Sequence, residues 1–297
     1  MRTIPYSPAK SDLYTPFQRG QYFMNNEAQE PSSLCAELSR LAYSRQASNK
    51  SIDAGQIHTV LQRIGFADRA FLESPNAAVG GIHCFIAAGP TSNPASQVAV
   101  IAFRGTDADD PTDIGTDAEA ILKPWEKGGH VHSGFANALD SVATSLDAAL
   151  RSINLPVLFT GHSLGAALAT LAASRYRATL NNVSLYTYGS PLVGDAGFVA
   201  TLKNVPTFRF RDCCDLVTRV PPEALGYRHV GLPHYIDRDG IISFDPSQSS
   251  IAEDRLAAEI EYTADYAWKA GNVRVRDLAD HSPINYAWAV SAAKTTM

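Results

Sequence analysis

The chain has 297 residues, 45% hydrophobic and 19% charged, and its 25 basic against 30 acidic side chains leave a net charge of −5. That length and apolar content suffice for a sizeable core, which excludes a disordered chain, while 20 Gly, 17 Pro and 4 Cys are too few for a collagen-like or disulfide scaffold. The acidic balance and the lack of a Lys/Arg cluster argue against nucleic acid as a partner, and no apolar run approaches the ~18 residues of a transmembrane segment.

The opening MRTIPYSPAKSDLYTPFQRG lacks the ~7-residue apolar centre of a secretory signal. Cys35, Cys84, Cys213 and Cys214 show no metal-type spacing and read as buried, reduced thiols. The expected location is therefore cytoplasmic, with secretion as the alternative. The first ~30 residues, rich in Pro and polar side chains, read as an arm on the surface. Helical spacing then predicts a helix over Pro31 to Tyr43 and a second one carrying Ile57, Val60, Leu61 and Ile64, stopped by Gly65.

Short apolar runs bounded by Gly, Pro and Asn predict strands at Ala70 to Glu73, Ile82 to Ala88 and Val98 to Phe103. A helix is expected from Ser133 to Ser152, a strand at Val157 to Thr160 and an Ala-rich helix from Ser163 to Tyr176. Val183 to Tyr188 and Thr207 to Arg211 read as further strands, and Tyr227 to Phe244 as a hairpin turning at Asp239-Gly240. Helices near Ile251 to Lys269 and Ser282 to Ala293 complete the pattern. Strands alternating with helices predict an α/β fold, a mostly parallel sheet covered on both faces. With no linker or repeat, residues 1–297 read as a single domain, 1–70 serving as arm and bracing helices.

Gly161-His162-Ser163-Leu164-Gly165 fits G-x-S-x-G between a predicted strand and a small-residue helix, the setting of a nucleophile elbow. A strained turn there lifts the Ser163 hydroxyl clear of the sheet, and the glycines make room for it. A serine hydroxyl needs a His to take its proton and a carboxylate to orient that His, in the chain order Ser, acid, His. Asp212 and Asp215, just past the strand ending at Arg211, are both candidates for the acid. Asp195 reads as a helix cap, and Asp237 and Asp239 as turn residues, because the partial D-x-D-G lacks the remaining ligands of a calcium loop. Of His229, His234 and His281, the first two bracket an apolar strand and read as structural. His281 stands in a late loop before a Ser/Pro helix start, where the base belongs.

Phe103-Arg104-Gly105-Thr106, Val131-His132-Ser133-Gly134-Phe135, the Ser163 elbow, Tyr186-Thr187-Tyr188-Gly189-Ser190-Pro191 and Asp215-Leu216-Val217 together resemble the class 3 lipases. These are α/β-hydrolases typified by filamentous-fungal triacylglycerol lipases and related feruloyl esterases. The resemblance spans about Val98 to Tyr286 and implies the α/β-hydrolase fold. It implies Asp215 as the acid and His281, in Asp280-His281, as the base. It further implies an oxyanion hole made by Thr106 and the Leu164 N–H, with Arg104 and His132 as structural supports.

Family members carry a lid after the Thr106 position. Here Asp107 to Asp117 reads DADDPTDIGTD, with five aspartates and a single large apolar residue, Ile114. That composition departs from an amphipathic lid helix and reads either as a polar flap giving little activation at an oil surface or as a solvated acidic loop with no regulatory role. Ile114, Leu122 and Trp125 are candidates for lining an acyl groove, with packing under the flap as the alternative for Leu122 and Trp125. The expected function is a serine carboxylester hydrolase, a triacylglycerol lipase or esterase, needing no metal or other cofactor. The alternatives are a hydrolase of soluble acetyl or feruloyl esters, a phospholipase and, remotely, a non-catalytic binding module. The expected partner is a small-molecule or lipid ester, met in passing at a lipid interface.

Overall fold

The computed structural model describes residues 6–23, 30–74, 81–90, 94–105 and 121–292. Eight strands form the main sheet: β1 Ala67–Ser74, β2 Ile82–Gly89, β3 Val98–Phe103, β6 Val157–His162, β7 Ser184–Tyr188, β8 Thr207–Asp212, β9 Pro233–Ile236 and β10 Ile242–Phe244. They lie side by side in that order. The run from β3 through β9 is parallel, while β1, β2 and β10 add antiparallel edges. The central strands are buried on both faces, which is why VAVIAF and the VLF that opens VLFTGH read as continuous apolar runs instead of alternating ones.

Side chains of one strand still alternate between two cores. Ile101 and Phe103 join Phe159 in a core covered by the helices α4 Ser133–Asp140, α5 Ala143–Leu150 and α6 Leu164–Tyr176. Val100 and Ala102 face the other core, with Tyr186, Tyr188 and residues of α2 Pro31–Leu41 and α10 Pro283–Ala292. Helix α6 presents LGAALATLAASRY, and its small side chains let it lie close on the sheet. The mostly parallel sheet covered on both faces, the α/β-hydrolase fold, agrees with the expectation from sequence.

Several expectations are corrected. The helix predicted over Ser133 to Ser152 is two helices, because the Ser141 hydroxyl bonds the Ala138 carbonyl (2.7 Å) and Val142 leaves helical geometry at φ −113°, ψ 0°. The hairpin pairs only β9 and β10. Its turn is held by Asp237, which accepts from the N–H groups of Asp239 (2.9 Å) and Ile241 (2.8 Å). A two-stranded ladder, β4 Leu122–Pro124 with β5 His130–His132, and a short helix α9 Arg276–Ala279 carry no signal strong enough to read in sequence. The arm does not lie on the surface: Ser7, Asp12 and Leu13, the latter two within the helix α1 Lys10–Tyr14, are buried.

His83 on β2 is buried, and desolvation, together with the nearby positive Arg104 and Arg45, pushes its pKa down to about 3. Because the folded value lies below the unfolded value of 6.5, His83 stabilises the fold fully above pH 6.5 and loses that contribution as the pH falls. The loss is about 1.4 kcal/mol per pH unit between 6.5 and 3. Urea unfolding from pH 7 to 4.5 should therefore show the gap between wild type and His83→Gln shrinking by about that slope; parallel pH dependences would contradict a neutral buried His83.

Candidate active site

Ser163 is the hinge between β6 and α6. It sits at φ 59°, ψ −130°, a left-handed strain that a non-glycine residue adopts only when its surroundings force it. The surroundings are tight. A Cβ on Gly161 would lie 2.2 Å from the backbone of Gly165, and one on Gly165 2.2 Å from the Phe103 carbonyl oxygen. Both positions are therefore closed to any side chain, which is the steric content of the flanking glycines.

The strain aims the Ser163 hydroxyl at His281, whose Nε2 lies 2.9 Å from Oγ. On the far side of the ring, Nδ1 is 2.9 and 3.0 Å from the two carboxylate oxygens of Asp215. With an acceptor carboxylate there, Nδ1 carries the proton and Nε2 is left to accept from serine. Ser163 and His281 are each 2% exposed and Asp215 is fully buried, so little water screens this chain of bonds. The Asp215 carboxylate also accepts from the Val217 N–H (2.9 Å) and the Tyr286 hydroxyl (2.6 Å).

Asp212, the other acid left open by the sequence, accepts from the Cys213 N–H at 2.8 Å and does not face the imidazole. Burial, and then the charge of Asp280, hold its carboxyl well above the usual range. His229 Nε2–H donates to the Thr218 carbonyl (2.8 Å), and His234 is surrounded by the rings of Phe208, Phe210 and Phe244. Asp195 caps the helix α7 Ala196–Thr201 through the Phe198 N–H (2.8 Å), as read from sequence.

A second histidine supports the first. His162 lies between the Tyr43 hydroxyl at Nδ1 and the His281 carbonyl at Nε2, each 2.8 Å away. Its Nε2–H must donate to that carbonyl, so Nδ1 accepts from tyrosine and the ring is neutral. Burial, then the positive character of His281, hold its pKa well below the usual range. Sequence reading did not single out His162, Tyr43 or Tyr286. His162 occupies the free position of the elbow motif, and each tyrosine lies far in sequence from the group it bonds, Tyr43 119 residues from His162 and Tyr286 71 from Asp215.

Leu164, one proposed oxyanion donor, opens α6, where the first N–H groups have no partner inside the helix. Thr106, Ile114 and the whole stretch 107–117 lie outside the described residues. Leu122 is half-buried in β4. Trp125 is not placed to line a groove: its ring is buried in the core edge-on to Phe198 and its Nε1–H donates to Ser174 Oγ (3.0 Å). Arg104 is buried and donates to the carbonyls of Gly81 (2.8 Å) and Gly105 (3.1 Å), and His132 caps α4 at Phe135. The four cysteines are free and buried. Among the described residues, Cys213, Cys214 and Asp280 converge in the manner of metal ligands, yet Asp280 is already ion-paired with Arg276 at 3.0 Å.

Residues 100–225 match the family model for "Lipase (class 3)". The chain is 39% identical over 115 residues to the secreted mono- and diacylglycerol lipase 1 of Fusarium solani, a stretch covering 36% of this chain and 34% of that one. It is 34% identical over 128 residues to a lipase of Rhizomucor miehei, covering 39% and 35%. The chain thus spans about a third of the length of these relatives. Among solved structures, one described as a triacylglycerol lipase with a serine-protease triad superposes with a TM-score of 0.61 at 22% identity, covering 90% of this chain and 98% of that one. Lipase II of Rhizopus niveus gives 0.58 at 22%, covering 71% and 80%. At such identity these two establish the fold alone. The expected cytoplasmic location is corrected by the relatives, since those from Fusarium solani and Penicillium cyclopium are named as secreted. The match to the class 3 lipase model over 100–225 falls on the part of the α/β-hydrolase sheet that carries the elbow motif and Asp215.

Proposed function

We propose that the chain is a serine carboxylester hydrolase. The single observation that carries this reading is the continuous hydrogen-bonded chain Ser163–His281–Asp215 at 2.9 Å per step, on a strained elbow. Ser163 Oγ attacks the ester carbonyl while His281 Nε2 takes its proton, and Asp215 steadies the imidazolium that forms. The tetrahedral oxyanion is held by the Leu164 N–H and by Thr106, each such donor contributing ~3 kcal/mol. The alcohol leaves with the proton from His281. Water, deprotonated by the same ring, then attacks the acyl-enzyme, releases the acid and restores Ser163.

For the substrate, we favour water-dispersed esters, partial glycerides and short acyl esters, over a triacylglycerol oil phase. Two relatives are named mono- and diacylglycerol lipases, and the acidic composition of residues 107–117 is poorly suited to docking on oil. The test is hydrolysis of tributyrin measured through its solubility limit, beside monoglyceride micelles and phospholipid vesicles. A smooth saturating curve with faster monoglyceride turnover is the expected result. A jump in rate at the solubility limit would return the reading to triacylglycerol, and preferred cleavage of the vesicles would make the chain a phospholipase.

A further inference from the structure

The base of the triad stands on a turn, and a turn is only as well placed as what it is tied to. The ties to the His281 turn come largely from the other end of the chain. The Tyr6 hydroxyl donates to Asp280 Oδ1 at 2.6 Å. The Asn285 side chain accepts from the Ser7 N–H (2.8 Å) and donates to the Ser7 carbonyl (3.0 Å) and to the Ala279 carbonyl (3.0 Å). The Ser282 hydroxyl donates to the Asp12 carbonyl at 2.8 Å. Two backbone bonds continue the seam, Val273 N–H to the Pro8 carbonyl (2.8 Å) and Lys10 N–H to the Gly271 carbonyl (2.9 Å).

These bonds land on residues 279, 280, 282 and 285, bracketing His281 on both sides. Asp280 is their hub, since its carboxylate also takes the Arg276 guanidinium (3.0 Å) and the Cys214 N–H (3.0 Å), next to Asp215 on the acid loop. The Arg276 guanidinium lies 5.2 Å over the Tyr6 ring, which packs against Tyr262 and Tyr266. The segment is itself fixed: the Asp12 carboxylate takes both the Ser7 hydroxyl and Arg19. Ser7, Asp12, Ser282 and Asn285 are all buried, so these bonds are not traded freely for water.

We infer that residues 6–13 are a positioning strap, with Tyr6 and Asn285 as positioning residues that set the distance between His281 and Ser163. The inference rests on the hydrolase reading above. A shift of the base by about 1 Å costs on the order of 10²-fold in rate, whereas substrate binding elsewhere in the cleft is untouched. The strap therefore acts on kcat and leaves KM alone.

The test uses the full chain carrying Tyr6→Phe, which removes only a hydroxyl, and separately Asn285→Ala. Two quantities are measured: steady-state hydrolysis of a soluble short-chain nitrophenyl ester, and hydrogen exchange of the amides of 276–286. We expect kcat to fall about tenfold in Tyr6→Phe and further in Asn285→Ala, with KM within twofold of wild type, faster exchange confined to 276–286, and unchanged exchange in β6 and α6. Should Asn285→Ala fail to fold, Tyr6→Phe carries the test alone. Faster exchange with kcat within twofold of wild type would make the strap merely structural, and unchanged exchange would show that it does not hold the turn. Either result overturns the inference. An inactive wild type would sink the hydrolase reading instead, and the exchange rates would still decide whether the strap holds the turn.

Discussion

Ser163→Ala should lower kcat for ester hydrolysis by about 10⁶-fold while leaving the fold intact. The size follows from the geometry. Ser163 Oγ is the atom 2.9 Å from His281 Nε2, and removing it leaves a base with nothing to activate except water. The methyl side chain adds no volume to a hinge whose clearance is set by Gly161 and Gly165, so the strained turn survives the change. His281→Ala should be nearly as severe, and the double variant no worse than either alone, since the residues act as one unit. The check is single-turnover hydrolysis of a nitrophenyl ester, with a fluorophosphonate probe that attaches to Ser163 in wild type and to nothing in Ser163→Ala. Turnover above about 1% of wild type in purified Ser163→Ala would defeat the serine-hydrolase reading.

Asp215→Asn should lower kcat by about 10⁴-fold. The amide is close to isosteric with the carboxylate and keeps Oδ1 as the acceptor for the Val217 N–H, while its Nδ2 replaces the oxygen that accepts from Tyr286. The amide can instead present N–H to His281 Nδ1, which moves the ring proton to Nε2 and turns the base into a donor facing Ser163. Binding of a substrate analogue is expected to be unchanged. Asp212→Asn is the matched control, because that carboxylate bonds the Cys213 N–H and lies off the imidazole. If Asp212→Asn proved the more damaging of the two to kcat at equal thermal stability, the acid would have to be reassigned.

The nucleophile was legible because everything it needs is local. A strand, a glycine on each side and a small-residue helix lie within 20 consecutive residues, and each has its own steric or periodic signature. The positions of the sheet's strands were legible for the same reason, as a change of apolar period. The acid was half legible: position past β8 admitted both Asp212 and Asp215, the resemblance pointed to Asp215, and the approach of His281 puts that carboxylate at the imidazole. Tyr286, Tyr43 and the strap were not legible, because a side chain's partner 70 to 278 residues away leaves no periodicity to read. The arm was misread for a physical reason. Ser7, Asp12 and Arg19 satisfy one another, so a segment that looks polar enough for solvent can be buried. Trp125 was left open between lining an acyl groove and packing beneath the flap. An apolar ring near the cleft in sequence lies in the core because Ser174 meets its N–H there.

The ties between Ser7 and Asn285 and between Asp12 and Ser282 join residues 278 and 270 apart. Bringing such distant points together carries the largest loop-closure entropy in the chain, so contacts of this kind form after the local ones. A chain in which these two segments have not yet met lacks the ties that flank His281. On the proposed hydrolase reading, the base is fully placed only once residues 6–13 and 279–285 have met.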